Sequence, residues 1–254
     1  MDELLKSGDY ARKQIYSPSG LVRWSHGSRF EVARALIAPR AGGRLLDYGC
    51  GDGTFVAMAH ADFTETVGLD VDRGQVDEAR ERLGRLPGVR FAPTSAPCPG
   101  SEPLVPFDVV TCMEVLEHCL EDERRRVIGE LKRLVSPGGL VVVSVPIEIG
   151  PSLAGKQLGR FLAARRGLGD YQYRERYSPL AFTRACLGLP TPRVVLEGGG
   201  PEGPYRYYGH KGFDYRDVGR ELTAHFTIAQ RLYSPMRLLG PFLNSQAWFV
   251  CLPR

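Results

Sequence analysis

At 254 residues the chain can hold one large α/β domain or two small ones, and it can bury a substantial core. Composition is ordinary, 43% hydrophobic and 24% charged, and the 30 glycines speak for many tight turns rather than low complexity. A formal net charge of +4 is too slight to point by itself to nucleic acid or a membrane surface.

Residues 1 to 40 read as a polar, partly helical lead-in, with helical periodicity over Arg29 to Ala38 closed by Pro39. GRLLDYG follows as a short buried strand ending at Asp47, and a helix opens at the glycine turn over Gly53 to His60. ETVGLDVD predicts a second strand ending at Asp70, and RGQVDEARERLGRL a second helix. VRFAP is a weak third strand, FDVVTCM a strong fourth, and EDERRRVIGELKRLV an amphipathic helix. SPGGLVVVSVP reads as a turn leading into a β-branched fifth strand.

The rhythm breaks over residues 151 to 210, where a basic amphipathic helix (PSLAGKQLGRFLAARRG) precedes tyrosine- and proline-rich sequence. A long insertion after the fifth strand suggests a lid over the mouth of the sheet. DYRDVGRELTAHF then predicts a helix, and FTIAQRLYS and QAWFVCLP two last strands.

Strands alternating with helices at this spacing imply a doubly wound, mostly parallel sheet with right-handed crossovers. In such sheets the ligand lies beyond the carboxyl ends of the strands. Asp47 to Gly53, Asp70, Glu114 to His118 and Pro146 to Gly150 all fall there.

Six cysteines (Cys50, Cys98, Cys112, Cys119, Cys186, Cys251) show neither CxxC nor zinc-type spacing and read as free thiols. MDELLKSGDYARK lacks the apolar core of a signal peptide. No segment approaches about 18 uninterrupted apolar residues. A cytoplasmic protein is expected.

Glycines 49, 51 and 53 let the backbone turn sharply and approach a ligand closely. A dinucleotide site would show G-x-G-x-x-G, and a phosphate loop would end in Gly-Lys-Ser/Thr; neither is present. What discriminates is G-x-G-x-G led by Asp47 and followed 23 residues on by Asp70, a carboxylate placed to accept both hydroxyls of a ribose.

Here the chain resembles the class I S-adenosylmethionine-dependent methyltransferases. LLDYGCGDGTF, GLDVD, FDVVTCMEVLEH and LVSPGGLVVVSVP carry the resemblance across residues 40 to 150, in the family's order and spacing. It implies a Rossmann-like sheet of seven strands, mostly parallel, with helices on both faces and a lid insertion after the fifth strand. A single domain over 1–254 then divides into a lead-in (1–40), a cofactor core (40–150), a lid and acceptor insertion (151–210), and a C-terminal helix with an antiparallel strand pair (211–254).

For S-adenosylmethionine, the resemblance implies backbone of Gly49, Cys50, Gly51 and Gly53 around the methionine part, with Asp47 orienting the loop and the amino group. Asp70 would hold the ribose, Val71 would pack on adenine, and Cys112 and Met113 would line the pocket near the sulfonium. The family often places an acidic or amide residue after the third strand to read adenine. This chain has APTSAPCPGSEP, where Ser95 and Ala96 fall nearest. Arg29 and Trp24 are candidates for the cofactor's carboxylate end.

DVVTCMEVLEHC closely resembles the fourth-strand motif of ubiquinone-biosynthesis O-methyltransferases, and its Glu-x-x-Glu-His core resembles that of small-RNA 2′-O-methyltransferases. In both groups the cluster takes part in divalent metal binding, with a later histidine added in the RNA enzymes. Carried over, Glu114, Glu117 and His118 would converge from one helical turn and join His210 around an ion such as Mg²⁺. EVLEH also occurs in small-molecule methyltransferases that bind no metal, where the histidine faces substrate. His118, with His210 as partner, is then a candidate base for the acceptor's proton.

The expected reaction is O-methylation of a small-molecule hydroxyl on a sugar or glycan intermediate, a phenol or another secondary metabolite. Tyrosines stack on rings and arginines pair with anions, and 150–214 is rich in both (Tyr171, Tyr173, Tyr177, Tyr205; Arg165, Arg166, Arg174, Arg176). Alternatives are a lipid-linked quinone precursor reached with GKQLGRFLAARRG on a membrane surface, and an RNA 2′-hydroxyl. No RNA-binding module is appended, so nucleic acid is disfavoured. A non-catalytic cofactor-binding regulator would lack the acceptor-side groups present here.

Overall fold

The structure, a computed structural model, describes residues 2–18, 20–95, 106–165, 177–200 and 203–254. The lead-in forms α1 (Asp2–Ser7), a π-helical turn (Ala11–Ile15) and α2 (Gly20–Ile37), which starts well before the expected Arg29. β1 (Arg44–Tyr48), α3 (Thr54–Ala59), β2 (Glu65–Asp70), α4 (Arg73–Leu83) and β3 (Val89–Pro93) follow the predicted order. So do β4 (Phe107–Met113), α5 (Glu121–Leu134) and β5 (Val135–Pro146). The turn expected at SPGG is absorbed into β5, whose pairing with β4 jumps from Phe107↔Val135 to Val109↔Leu140.

The insertion contains α6 (Pro151–Arg165), α7 (Pro179–Cys186) and a hairpin of β6 (Val195–Gly200) and β7 (Gly203–Tyr208). The hairpin is not foreseen by the sequence. α8 (Tyr215–His225), β8 (Phe226–Ser234) and β9 (Gln246–Pro253) complete the chain as expected. Tyr171, Tyr173, Arg166, Arg174, Arg176, Ala96 and Cys98 lie outside the described residues. The other five cysteines are free.

The main sheet runs β3-β2-β1-β4-β5-β9-β8, parallel through β5 and antiparallel at β9 and β8. Both faces of its centre are covered, which is why LVVVSV is a continuous apolar run rather than an alternating one. Val141, Val143 and Val145 join one core with Ile128 and Leu131 of α5 and Leu222 of α8. Leu140 and Val142, with the opposite pleat, join Phe30 and Ile37 of α2 and Phe55 of α3. A third cluster packs α4 and α3 on β3 through Val76, Leu83, Val56 and Phe91.

α5 puts Val127, Ile128, Leu131 and Leu134 on one buried stripe. Acidic residues at 121–123 and basic ones at 132–133 match its dipole. Arg124 reaches from it to Glu221 on α8 with two hydrogen bonds of 2.7 and 2.5 Å. No helix among the described residues is long and apolar enough to cross a membrane.

Candidate active site

The loop after β1 is shaped by its glycines. Gly49 has φ +80°, and a Cβ there would stand 2.2 Å from Val115 Cγ2, so both backbone and space demand glycine. Gly53 (φ +77°) opens α3, and its missing Cβ leaves room for Leu83 and Phe91. Gly49 and Cys50 donate to the Leu69 carbonyl at 2.7 and 3.0 Å, and Gly51 donates to Asp70 Oδ2 at 2.7 Å. Asp70 Oδ1 accepts from Asp72 at 2.9 Å. Asp70 is therefore held at the rim of β2, beside Val71, which is 74% exposed at a strand end.

Several predicted groups do not offer their side chains to that rim. The Cys50 thiol packs into the α3–α4 core, and burial pushes its pKa well up. Cys112 is sealed in the α5–α8 core while Met113 packs toward the opposite face. Period-2 alternation sends adjacent strand residues to opposite faces, so Cys112 and Met113 do not line one pocket together. Asp47 is buried and accepts from Thr111 Oγ1 at 2.7 Å on β4. Burial, aided by the nearby Asp70 charge, raises its pKa to about 7. Ser95 is exposed in the turn after β3, whose Thr94 donates to the Asp70 carbonyl at 2.8 Å.

A cleft of about 610 Å³ opens beyond β4 and β5, lined by Glu114, Glu117, His118 and His210 and flanked by α6. Glu114 to His118 form an irregular turn instead of the expected helical one, with Glu114 at φ +57°. Glu114 Oε1 accepts from Ser144 Oγ at 3.1 Å, and Oε2 faces Arg29 Nη2 at 3.4 Å. Arg29 is thus an enclosed cation at the cleft rather than a solvated helix residue; it also donates to the Tyr10 hydroxyl at 3.2 Å. Trp24 lines the same cleft.

Glu117 is fully buried, and neither carboxylate oxygen has a hydrogen-bond partner among the described residues. Burial, reinforced by Glu114, pushes its pKa well above the usual carboxylate range, against the pull of Arg29 and Arg193. His118 stands beside it, Nε2 3.9 Å from Glu117 Oε1 and with a side chain 39% exposed. The hairpin fixes His118 from the other side: Tyr208 donates to its carbonyl at 2.8 Å, and His118 Nδ1 lies 3.0 Å from the Tyr208 carbonyl oxygen. His210 meets it edge to face, ring centroids 4.9 Å apart.

The expected four-ligand metal set is not assembled. Among the described residues no group of three or more His, Cys, Asp or Glu side chains is arranged to hold a metal ion. The physical reason lies in the turn: Glu114, left-handed, points to Ser144 and Arg29.

The sequence reading misses other residues in and beside the cleft. The Tyr10 hydroxyl is 2.9 Å from His26 Nδ1, and burial with Arg29 draws the His26 pKa down to about 4. The Tyr10 N–H reaches Asp52 Oδ2 at 3.0 Å, tying the lead-in to the glycine loop. Glu148 and Lys156 pair at 3.1 Å within the cleft. Arg193 donates to the Glu117 and Gly209 carbonyls at 2.5 and 3.0 Å and stacks on Tyr208.

Residues 46–141 match the sequence model of a methyltransferase domain. The chain is 39% identical over 163 residues to the ubiquinone biosynthesis O-methyltransferase of Thiobacillus denitrificans, covering 62% of this chain and 69% of that one. This chain belongs to the class I S-adenosylmethionine-dependent methyltransferases. The methyltransferase is also 30% identical over 154 residues to the Paracidovorax citrulli enzyme of the same name, spanning 59% of its own length and 63% of that relative's. The N-methyltransferase NodS of Bradyrhizobium japonicum, solved with S-adenosyl-L-homocysteine, shares the fold at 14% identity, with TM-score 0.56 and coverage of 99% and 95%. The methyltransferase thus has the family's seven-stranded α/β sheet, with its glycine loop and histidine turn at one end.

Proposed function

We propose that the enzyme methylates a hydroxyl of a small molecule seated in the cleft, with His118 as general base. The observation that carries this is the 3.0 Å contact of His118 Nδ1 with the Tyr208 carbonyl. A carbonyl oxygen only accepts, so Nδ1 holds a proton, and in the neutral ring Nε2 carries the lone pair. His118 lines the cleft, where Nε2 would take the acceptor's proton as the nucleophile forms. The imidazolium so produced stands 3.9 Å from Glu117 Oε1, and His210 packs edge-on beside it.

When bound, S-adenosylmethionine supplies an electrophilic methyl on a sulfonium. The residues at the strand ends fit it: Gly49 and Gly51 turn left-handed, at φ +80° and +54°, next to the rim where Asp70 and Val71 offer a carboxylate and an apolar face. In this reading the Asp70 carboxylate takes the ribose hydroxyls and Val71 covers adenine. Ser95 sits at the adenine edge, and Gly49 and Gly51 pass beneath the methionine part. Arg29 and Trp24 close the carboxylate end. Asp47 acts indirectly, by bracing the loop through Thr111. No step is routed through a metal, because the cluster's carboxylate and imidazole groups do not converge.

The named O-methyltransferase relatives support oxygen as the accepting atom. The test is transfer of labelled methyl to catechols, simple phenols, sugars and short RNA, with and without chelator. Expected is transfer to small hydroxyl compounds that chelator leaves unchanged and that His118→Ala lowers about 10²- to 10⁴-fold. Near-full turnover by His118→Ala would sink the base. Activity lost to chelator and restored by Mg²⁺ would reinstate the metal.

A further inference from the structure

The amino-acid head of S-adenosylmethionine carries an ammonium and a carboxylate on one carbon. Asp47, expected from the sequence to meet the ammonium, is 1% exposed and accepts from Thr111 Oγ1 at 2.7 Å, so its side chain stays inside the sheet. A different carboxylate stands beside the glycine loop. Glu114 opens the turn after β4, and the next residue, Val115, lies so close that a Cβ on Gly49 would stand 2.2 Å from its Cγ2. From the lead-in, Tyr10 donates its N–H to Asp52 Oδ2 at 3.0 Å and accepts on its hydroxyl from Arg29 Nη1 at 3.2 Å. Arg29 and Glu114 thus meet next to the loop, Nη2 3.4 Å from Oε2, with side chains 15% and 16% exposed, and both line the cleft.

Two features set this pair apart from a structural ion pair. Glu114 is the one non-glycine residue at positive φ among the described residues, at +57°. Backbone strain of this kind persists where the surroundings enforce it, and it collects at ligand sites. Ser144 Oγ donates to Glu114 Oε1 at 3.1 Å and so fixes the carboxylate, with Oε2 left toward Arg29. The second feature is the spacing. At 3.4 Å the two charges stand wider than a charge-assisted hydrogen bond of about 2.7–2.9 Å, so the pair is not closed on itself. Opposite charges held side by side in a cleft complement a zwitterion. A ligand bearing a carboxylate alone would be repelled by Glu114, and one bearing a cation alone by Arg29.

We infer that Glu114 binds the ammonium of the cofactor's amino-acid head while Arg29 takes the carboxylate, so that the pair reads the head as one zwitterion. The inference rests on the reading that Arg29 closes the carboxylate end of the cofactor site; neither the acceptor nor His118 enters it.

The test is calorimetry of wild type, Glu114→Gln and Arg29→Gln with three ligands. These are S-adenosylhomocysteine, its desamino analogue ending in a butanoate, and its decarboxylated analogue ending in a 3-aminopropyl group. Glu114→Gln keeps the side-chain volume and an acceptor for Ser144 but not the charge, and its Tm should match that of wild type. It should bind S-adenosylhomocysteine and the aminopropyl analogue about tenfold more weakly, as a charge-assisted hydrogen bond becomes a neutral one. The butanoate analogue should bind it at least as tightly as it binds wild type. Undiminished affinity for S-adenosylhomocysteine, or an equal loss for the aminopropyl and butanoate analogues, would overturn the inference, the latter because it reports general loosening of the site. Arg29→Gln should show the converse pattern, weakening the two carboxylate ligands and sparing the aminopropyl one. If it spares all three, the carboxylate reading of Arg29 falls, and the aminopropyl-against-butanoate comparison in Glu114→Gln still decides the ammonium site.

Discussion

His118 Nδ1 stands 3.0 Å from the carbonyl oxygen of Tyr208, 90 residues further along the chain. This histidine belongs to the turn after β4, but its orientation is set by the hairpin of the insertion. Arg193 secures that junction by donating to Glu117 and Gly209 and stacking on Tyr208. Arg193→Ala should therefore lower kcat about 10- to 100-fold through misplacement of the imidazole, with affinity for S-adenosylhomocysteine unchanged. Arg193→Lys should not rescue it, because an ammonium lacks the planar fork. Steady-state kinetics with calorimetry of cofactor binding separates the two effects.

Gly49 and Gly150 have nearly equal dihedrals, φ +80° and +82°, but only at Gly49 would an added methyl meet a neighbour, 2.2 Å from Val115 Cγ2. Gly150→Ala should cost about 1–2 kcal/mol, the left-handed penalty alone. Gly49→Ala should add about 1–3 kcal/mol of overpacking and abolish cofactor binding. Urea melts of the two variants check this directly; equal losses would mean that Val115 yields freely.

Asp47 carries a pH signature. Its folded pKa, raised by burial to about 7, exceeds its ordinary 3.8, so the folded state favours the protonated carboxyl. That stabilisation is complete below the unfolded value and is lost as pH climbs toward 7, by at most about 4 kcal/mol. Asp47→Asn keeps an acceptor for Thr111 and cannot ionise. Its urea midpoint should consequently fall less than that of wild type between pH 4 and 7, and parallel curves would refute the assignment.

Arg124 and Glu221 join α5 to α8 through two short hydrogen bonds, with Arg124 8% and Glu221 30% exposed at the side chain. A double-mutant cycle to alanine should give a coupling of about 1–3 kcal/mol, above the range of exposed pairs. The ion pairs within α5, such as Arg125–Asp122, are open to solvent and should couple far more weakly.

The parallel core was legible because each strand is an apolar run and each helix shows its stripe, as Val127, Ile128, Leu131 and Leu134 do. The hairpin was not, since LEGGG and GPYRYY show neither alternation nor a two-residue turn signal. Glu114 misled for a different reason. EVLEH has helical spacing, but β4 runs straight into it, and Glu114 turns left-handed against Ser144 and Arg29. Tyr10 and His26 carry no motif at all; only the packing of the lead-in against the glycine loop makes them part of the site. The opposite fates of Cys112 and Met113, by contrast, follow from strand alternation alone and were available to a stricter reading of β4.

The contact between hairpin and histidine has a consequence for how such an enzyme diversifies. Whatever replaces the insertion to admit a new acceptor must also deliver an acceptor oxygen to His118 Nδ1, or the imidazole is free to present the wrong nitrogen. With His118 as the proposed base, chimeras exchanging residues 151–210 between relatives are expected to inherit acceptor choice and proton-transfer competence as a single package, while the glycine loop and Asp70 stay with the host.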